Sequence, residues 1–161
     1  MESTLQGQLK AWRQHLHRYP ETGFDEVKTS DFVATILTTL GLDVHRGIGG
    51  TGLVASLTVG NGERAIGLRA DMDALNIAES APGRAHASLT PGSRRARAAS
   101  WRARTISSSG STDAARMLGN GDALGNGGVP LHNARYDFND EILSIGARYF
   151  AELARFALPV A

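Results

Sequence analysis

Leu68-Arg69-Ala70-Asp71-Met72-Asp73-Ala74-Leu75 is a short extended stretch that ends in two carboxylates. Alternate side chains of an extended chain point to the same side, so Asp71 and Asp73 share a face. The carboxyl end of a strand is where α/β proteins usually gather their ligands. Two carboxylates placed there can bind a metal or orient one of its ligands. The plain alternative is a solvated turn after an edge strand. A second stretch, Pro130-Leu131-His132-Asn133-Ala134-Arg135-Tyr136-Asp137-Phe138-Asn139-Asp140-Glu141, is a loop with one histidine that opens a helix. The neutral imidazole of His132 is a candidate ligand for zinc or a similar metal. Taken alone it reads as a surface histidine.

Outward from these strings the periodicity is clear at both ends of the chain. Leu5, Leu9, Trp12 and Leu16 fall at helical spacing, with Ser3 or Thr4 able to cap the start and Pro20 to stop the helix. Phe32, Val33, Ile36, Leu37 and Leu40 predict a second helix, begun by Asp25 or Thr29 and closed by Gly41 in a left-handed conformation. Residues 42–46 predict a first strand and residues 47–52 a glycine-rich loop. Leu53, Ala55, Leu57 and Val59 alternate with Val54, Ser56 and Thr58, which is a strand period. Gly60-Asn61-Gly62 is a strong turn signal and predicts a hairpin back into a third strand over 65–70. Near the end, Asn139 is a good N-cap, and Asp140 and Glu141 suit the first turn of a helix. Ile142, Ile145, Tyr149, Phe150, Leu153 and Phe156 form the apolar face of that last helix, which Pro159 closes.

The chain has 161 residues, 42% of them apolar and 20% charged, with a net charge of +1. That is the profile of one ordinary globular domain, and it makes no case for a nucleic-acid or membrane partner. The average conceals a local imbalance: residues 81–116 hold seven arginines and one acid, Asp113. Few large apolar residues accompany them, so this segment is expected to be poorly ordered. Arg94, Arg95, Arg97, Arg102 and Arg104 surround Trp101, a pattern that can bind single-stranded nucleic acid; a solvated segment is the plainer reading. There is no cysteine, which excludes disulfides and thiolate chemistry. Gly47-Ile48-Gly49-Gly50-Thr51-Gly52 lacks the Lys-Ser/Thr ending of a phosphate loop, and no helix follows it. His15 and His17 are not an i, i+4 pair and read as structural, while His45 and His86 have no partner in sequence. No secretory leader pattern opens the chain, and no apolar run approaches the roughly 20 residues that span a bilayer. The expectation is a soluble cytoplasmic protein.

Several strings together carry a family resemblance. They are Trp12-Arg13-Gln14-His15-Leu16-His17-Arg18-Tyr19-Pro20-Glu21 with Phe24, Glu26 and Thr29; Gly41-Leu42-Asp43-Val44; the Asp71–Asp73 stretch; and Met117-Leu118-Gly119-Asn120-Gly121-Asp122 through the final helix. The chain resembles the M20 family of metal-dependent amidohydrolases, in the branch of hippurate hydrolases and N-acyl-amino-acid deacylases. The resemblance implies a two-metal centre of zinc or manganese, a metal-bound water as nucleophile, a glutamate general base and a small N-acyl amino acid as substrate. By position it implies His132 as a metal ligand and Asp73 as the aspartate that orients a ligand from behind. Asp71 sits where other branches place a ligand histidine. The family's Cys-Gly-His-Asp-Gly-His type string, its paired glutamates, its second metal-binding histidine and its inserted lid or dimerisation domain are not found. Residues 90–116 lie where the metal-binding string belongs. Their Ala/Arg/Ser bias is that of a G+C-rich gene read out of frame, as a frameshift followed by a deletion would leave it.

The expected fold is therefore α/β, an incomplete M20-type catalytic domain without the lid. It has two N-terminal helices, a small sheet with a hairpin and a C-terminal helix. Residues 1–80 form the N-terminal part, 81–116 the Arg/Ser-rich segment and 117–161 the C-terminal part. The expected function is amide hydrolysis by descent. A catalytically inactive remnant is the alternative, and nucleic-acid binding through the arginines a weaker one.

Overall fold

The computed structural model describes residues 2–80, 83–89, 104–106 and 134–158. His132 and most of the Arg/Ser-rich segment, including Arg94 to Arg102, lie outside them.

The first helix, α1 (Glu2–Arg18), stops where Pro20 approaches, as its ring requires. Leu16 is buried on its inner face. The second, α2 (Val27–Thr39), lacks a side-chain cap from the residue that precedes it. Its free amides are taken instead by the Glu21 carboxylate, which accepts from Thr29 N at 2.7 Å and from Lys28 N at 3.2 Å. A carboxylate at a helix start also suits the dipole. Gly41 follows α2 with φ +84°. Between the helices the His15 ring stacks on Phe32, with centroids 4.1 Å apart.

Strands β1 (Asp43–Ile48) and β2 (Gly52–Ser56) pair antiparallel, with Val44 opposite Ala55 and His45 opposite Val54. Strand β3 (Gly67–Arg69) pairs antiparallel with β4 (Arg104–Ile106) in a separate two-stranded ladder. The hairpin is thus not the one expected at Asn61. It turns through the glycine loop between β1 and β2, where Gly50 has φ +104° and a side chain at Gly52 would collide with the Ile48 carbonyl. Gly60 does take a positive φ of 72°. The residues on either side of that turn nevertheless join no common ladder.

The C-terminal segment opens with a 3-10 turn, Asp140–Ile142, capped by Asn139, whose Oδ1 accepts from Glu141 N at 3.1 Å. It continues as α3 (Leu143–Ala157). This helix meets α1, and polar groups take part in the contact. Gln6 Oε1 accepts from Ser144 N at 3.0 Å, and Gln6 Nε2 donates to the Asp140 carbonyl. Arg13 is 2% exposed and holds the Asp140 carboxylate at two points, 2.6 and 2.9 Å. Part of the apolar face of α3 stays open, with Ile145 51% and Phe156 85% exposed, while Ile142, Phe150 and Leu153 are half-buried. Among the described residues no helix is long and apolar enough to cross a membrane.

Candidate functional site

A cluster of ionisable side chains sits where α1, residues 77–89 and residues 134–137 meet. His17 comes from the last turn of α1, where the helix turns its inner face toward the loop. Two backbone links fix the loop: Leu89 N donates to the Arg18 carbonyl at 2.9 Å, and Ser80 N to the Ala134 carbonyl at 2.9 Å. Arg18 Nη2 also donates to the Ala85 carbonyl at 2.9 Å.

Arg84 is the centre of the group. Its Nη1 donates to Glu79 Oε1 at 2.7 Å and to the Tyr136 carbonyl at 2.8 Å, and its Nη2 donates to the Arg135 carbonyl at 2.7 Å. Its Nε lies 3.5 Å from Asp137 Oδ2. Each carboxylate also holds a histidine: His17 Nε2 is 3.3 Å from Glu79 Oε1, and His86 Nε2 is 3.1 Å from Asp137 Oδ1. The two imidazole rings meet edge to face at 5.1 Å. Tyr136 and His17 are each 2% exposed. A charged centre of this kind holds together only because each carboxylate has a cation and further donors.

Burial pushes the His17 imidazole below its ordinary value of 6.5. The Glu79 carboxylate pulls the other way by charge and hydrogen bond, while Arg13 and His86 add to the lowering. Its Nδ1 is buried with no partner, so the ring has no second acceptor to stabilise a proton. The sign follows from linkage. In the unfolded chain His17 takes up a proton near its ordinary value, and in the folded chain only at lower pH. Its contribution to stability is therefore present above pH 6.5 and is lost as pH falls from there through the folded value. The melting temperature is expected to drop as pH falls below about 6.5, and His17→Gln is expected to flatten that drop. An unchanged slope in the variant would assign the effect to other groups.

The residues singled out by sequence lie elsewhere. Asp71 follows β3 and is held by Arg69, Nη2 to Oδ1 at 2.7 Å. Asp73 lies against the turn after α1. There Ala74 N donates to the Glu21 carbonyl at 2.6 Å, and Thr22 and Ala74 form a parallel bridge. A side chain at Gly23 would meet the Asp73 Cβ at 3.9 Å. The two aspartates thus take different surroundings. Sequence reading missed Glu79, Arg84, Tyr136 and Asp137. The one available signal was Arg84-Ala85-His86, two polar groups at strand spacing.

Comparison with known proteins bears on what these residues descend from. A 75-residue stretch is 48% identical to the hippurate hydrolase of Campylobacter jejuni, covering 47% of this chain and 20% of that protein. The N-acyl-L-amino acid amidohydrolase of Geobacillus stearothermophilus is 44% identical over 70 residues, 43% of this chain and 19% of that one. The N-acetyl-L-cysteine deacetylase of Bacillus subtilis is 40% identical over 77 residues, 48% of this chain and 18% of that one. Over a little under half of its length the chain is similar to these hydrolases of N-acyl amino acids. It spans about a fifth of the length of these curated relatives. No family model matches it, and no solved structure matches it.

The amidohydrolase relationship implies a divalent metal, and the donors can be tested for it. Among the described residues no three of His, Asp and Glu are arranged to hold an ion. Asp71 faces a guanidinium, and Glu79 and Asp137 share another. Among the described residues this donor set does not fit a two-metal centre.

Proposed function

We propose that this chain descends from an amidohydrolase of N-acyl amino acids and that, as it stands, it does not hydrolyse them. The first half of this reading is supported by the relatives' names, which specify hippurate, N-acetyl-L-cysteine and N-acyl-L-amino acids, all amides of an amino acid nitrogen.

The second half is supported by where the carboxylates go. Asp71 is paired with Arg69, and Glu79 and Asp137 with Arg84. A dication would have to displace a guanidinium at each. Two-metal hydrolysis needs several ligands converging on a pair of ions a few ångströms apart, and the chain has no cysteine for the family's Cys-Gly-His string. His132 and Asp71 are the matched candidates for zinc or manganese. One imidazole and one carboxylate hold a single ion weakly, with water in the remaining positions. Asp73 is the matched orienting aspartate.

The test is direct. Purified chain supplied with zinc or manganese is expected to release no glycine from hippurate, and no amino acid from N-acetyl amino acids, above the rate of metal alone. Residual metal binding, followed by calorimetry, is expected to weaken in His132→Ala. Metal-dependent turnover that His132→Ala abolishes would overturn the reading.

A further inference from the structure

Asn61-Gly62 lies between β2, which ends at Ser56, and β3, which begins at Gly67. Residues 56–65 are all exposed. Among the described residues, none from 57 to 66 makes a backbone–backbone hydrogen bond. The amide nitrogen of Gly62 is therefore open, and glycine has no Cβ to screen it from the side chain before it. The other asparagines among the described residues are placed differently. Asn76 is followed by Ile77, whose branched side chain crowds its own amide and whose N donates to the Leu75 carbonyl at 2.9 Å. The Asn139 carboxamide is held as a helix cap, its Oδ1 accepting from Glu141 N at 3.1 Å.

We infer that Asn61 is a self-modification site, where the chain converts its own asparagine to aspartate and isoaspartate. The Gly62 nitrogen attacks Cγ of Asn61. The new N–Cγ bond closes a cyclic imide. The side-chain nitrogen leaves as ammonia, carrying the proton lost from the Gly62 nitrogen. Water then opens the imide. Attack at Cγ restores the original main chain and leaves aspartate. Attack at the main-chain carbonyl of residue 61 leaves the chain running through Cγ, as isoaspartate. The sum is asparagine plus water giving a carboxylic acid and ammonia, with no change of oxidation state. The new carboxyl is ionised at neutral pH, so each event removes one unit from a net charge of +1. Isoaspartate also adds one carbon to the main chain, and a stretch outside both ladders absorbs it. The modification does not depend on any hydrolytic activity of the chain, and it leaves the fold in place.

Peptide mapping of the intact chain, incubated at mildly alkaline pH and digested with trypsin at mildly acidic pH, tests this. Cleavage after arginine puts Asn61, Asn76 and Asn139 in separate peptides, 47–64, 70–84 and 136–148. Asn120 and Asn126, also followed by glycine but outside the described residues, fall in 117–135 and are read apart. Peptide 47–64 is expected to gain about one dalton and to split into two species that co-elute with synthetic aspartate and isoaspartate standards. Peptides 70–84 and 136–148 are expected to convert many times more slowly. Gly62→Ala is expected to slow the conversion of Asn61 several-fold, because a Cβ then screens the attacking nitrogen. The synthetic peptide 47–64 supplies the rate of a free segment. The folded chain is expected to match it within about threefold, since an unheld loop opens at almost no cost. Asn61→Asp, which carries the product charge from the start, is expected to keep the wild-type melting temperature. Strong protection of Asn61 in the folded chain relative to the peptide would overturn the inference. So would conversion of Asn76 or Asn139 at the rate of Asn61, or a lowered melting temperature in Asn61→Asp.

Discussion

Replacing Asp140 by alanine is expected to destabilise the fold by about 3–5 kcal/mol, the cost of stranding a buried charge. The charge is Arg13, 2% exposed, whose Nε and Nη2 both reach the Asp140 carboxylate. Its Nη1 is already buried without a partner, so no spare acceptor stands ready to replace the aspartate. Gln14 Nε2 also donates to that carboxylate at 3.1 Å and would be left open. Asp140→Asn keeps the shape and removes the charge, and is expected to lose a large part of the same stability. Replacing both members at once, Arg13→Met with Asp140→Leu, is expected to recover most of it, since an apolar pair of similar volume carries no desolvation cost. Urea unfolding of the four proteins decides the matter. A midpoint that does not move in Asp140→Ala would mean that the C-terminal segment is not held through this pair.

The second large effect is expected at Glu79. Glu79→Ala removes the carboxylate that faces Arg84, His17 and Ser88 N. Arg84 keeps Asp137 and two carbonyls, while His17 Nε2 loses its partner. The expected loss is about 3 kcal/mol, the low end for breaking a buried pair because Arg84 is not left alone. A second signature separates this from general damage. Glu79 is the group that raises the proton affinity of His17. Without it the folded imidazole binds protons still less readily, and the gap to the unfolded chain widens. The loss of stability below pH 6.5 is then expected to be steeper than in the wild type. A parallel shift at all pH values, with the slope unchanged, would show that Glu79 does not act on His17.

The helices were legible because their signals are local. The period of Leu9, Trp12 and Leu16, the stop at Pro20, the left-handed Gly41 and the Asn139 cap each need only a few neighbouring residues. The hairpin was misplaced for the same reason. Asn61-Gly62 is the stronger local turn signal, but β2 ends at Ser56 and β3 begins at Gly67, too far apart for a tight turn to join. The tight approach at Gly52 did what the Asn-Gly pair could not. The cap of α2 comes from Glu21, seven and eight residues before the amides it accepts from, beyond the reach of a capping rule that looks one turn away. The cluster around Arg84 joins positions 51, 52 and 62 residues apart. No periodicity encodes such pairs. Asp71 is instructive in another way. The alternation that set it beside Asp73 also sets it beside Arg69, and the arginine took it.

The clasp between Arg13 and Asp140 joins residues 127 positions apart. A ribosome adds about 5–20 residues per second, so about 6–25 s pass between synthesis of the two partners. During that interval the guanidinium lacks its carboxylate partner, and α1 lacks its link to the C-terminal segment. The N-terminal helices, with the apolar sides of Leu9, Trp12 and Leu16, must wait in the open for a segment not yet made. Closing this clasp therefore waits until Asp140 has been made, and the seconds before it are when these helices are most exposed to chaperones and to aggregation.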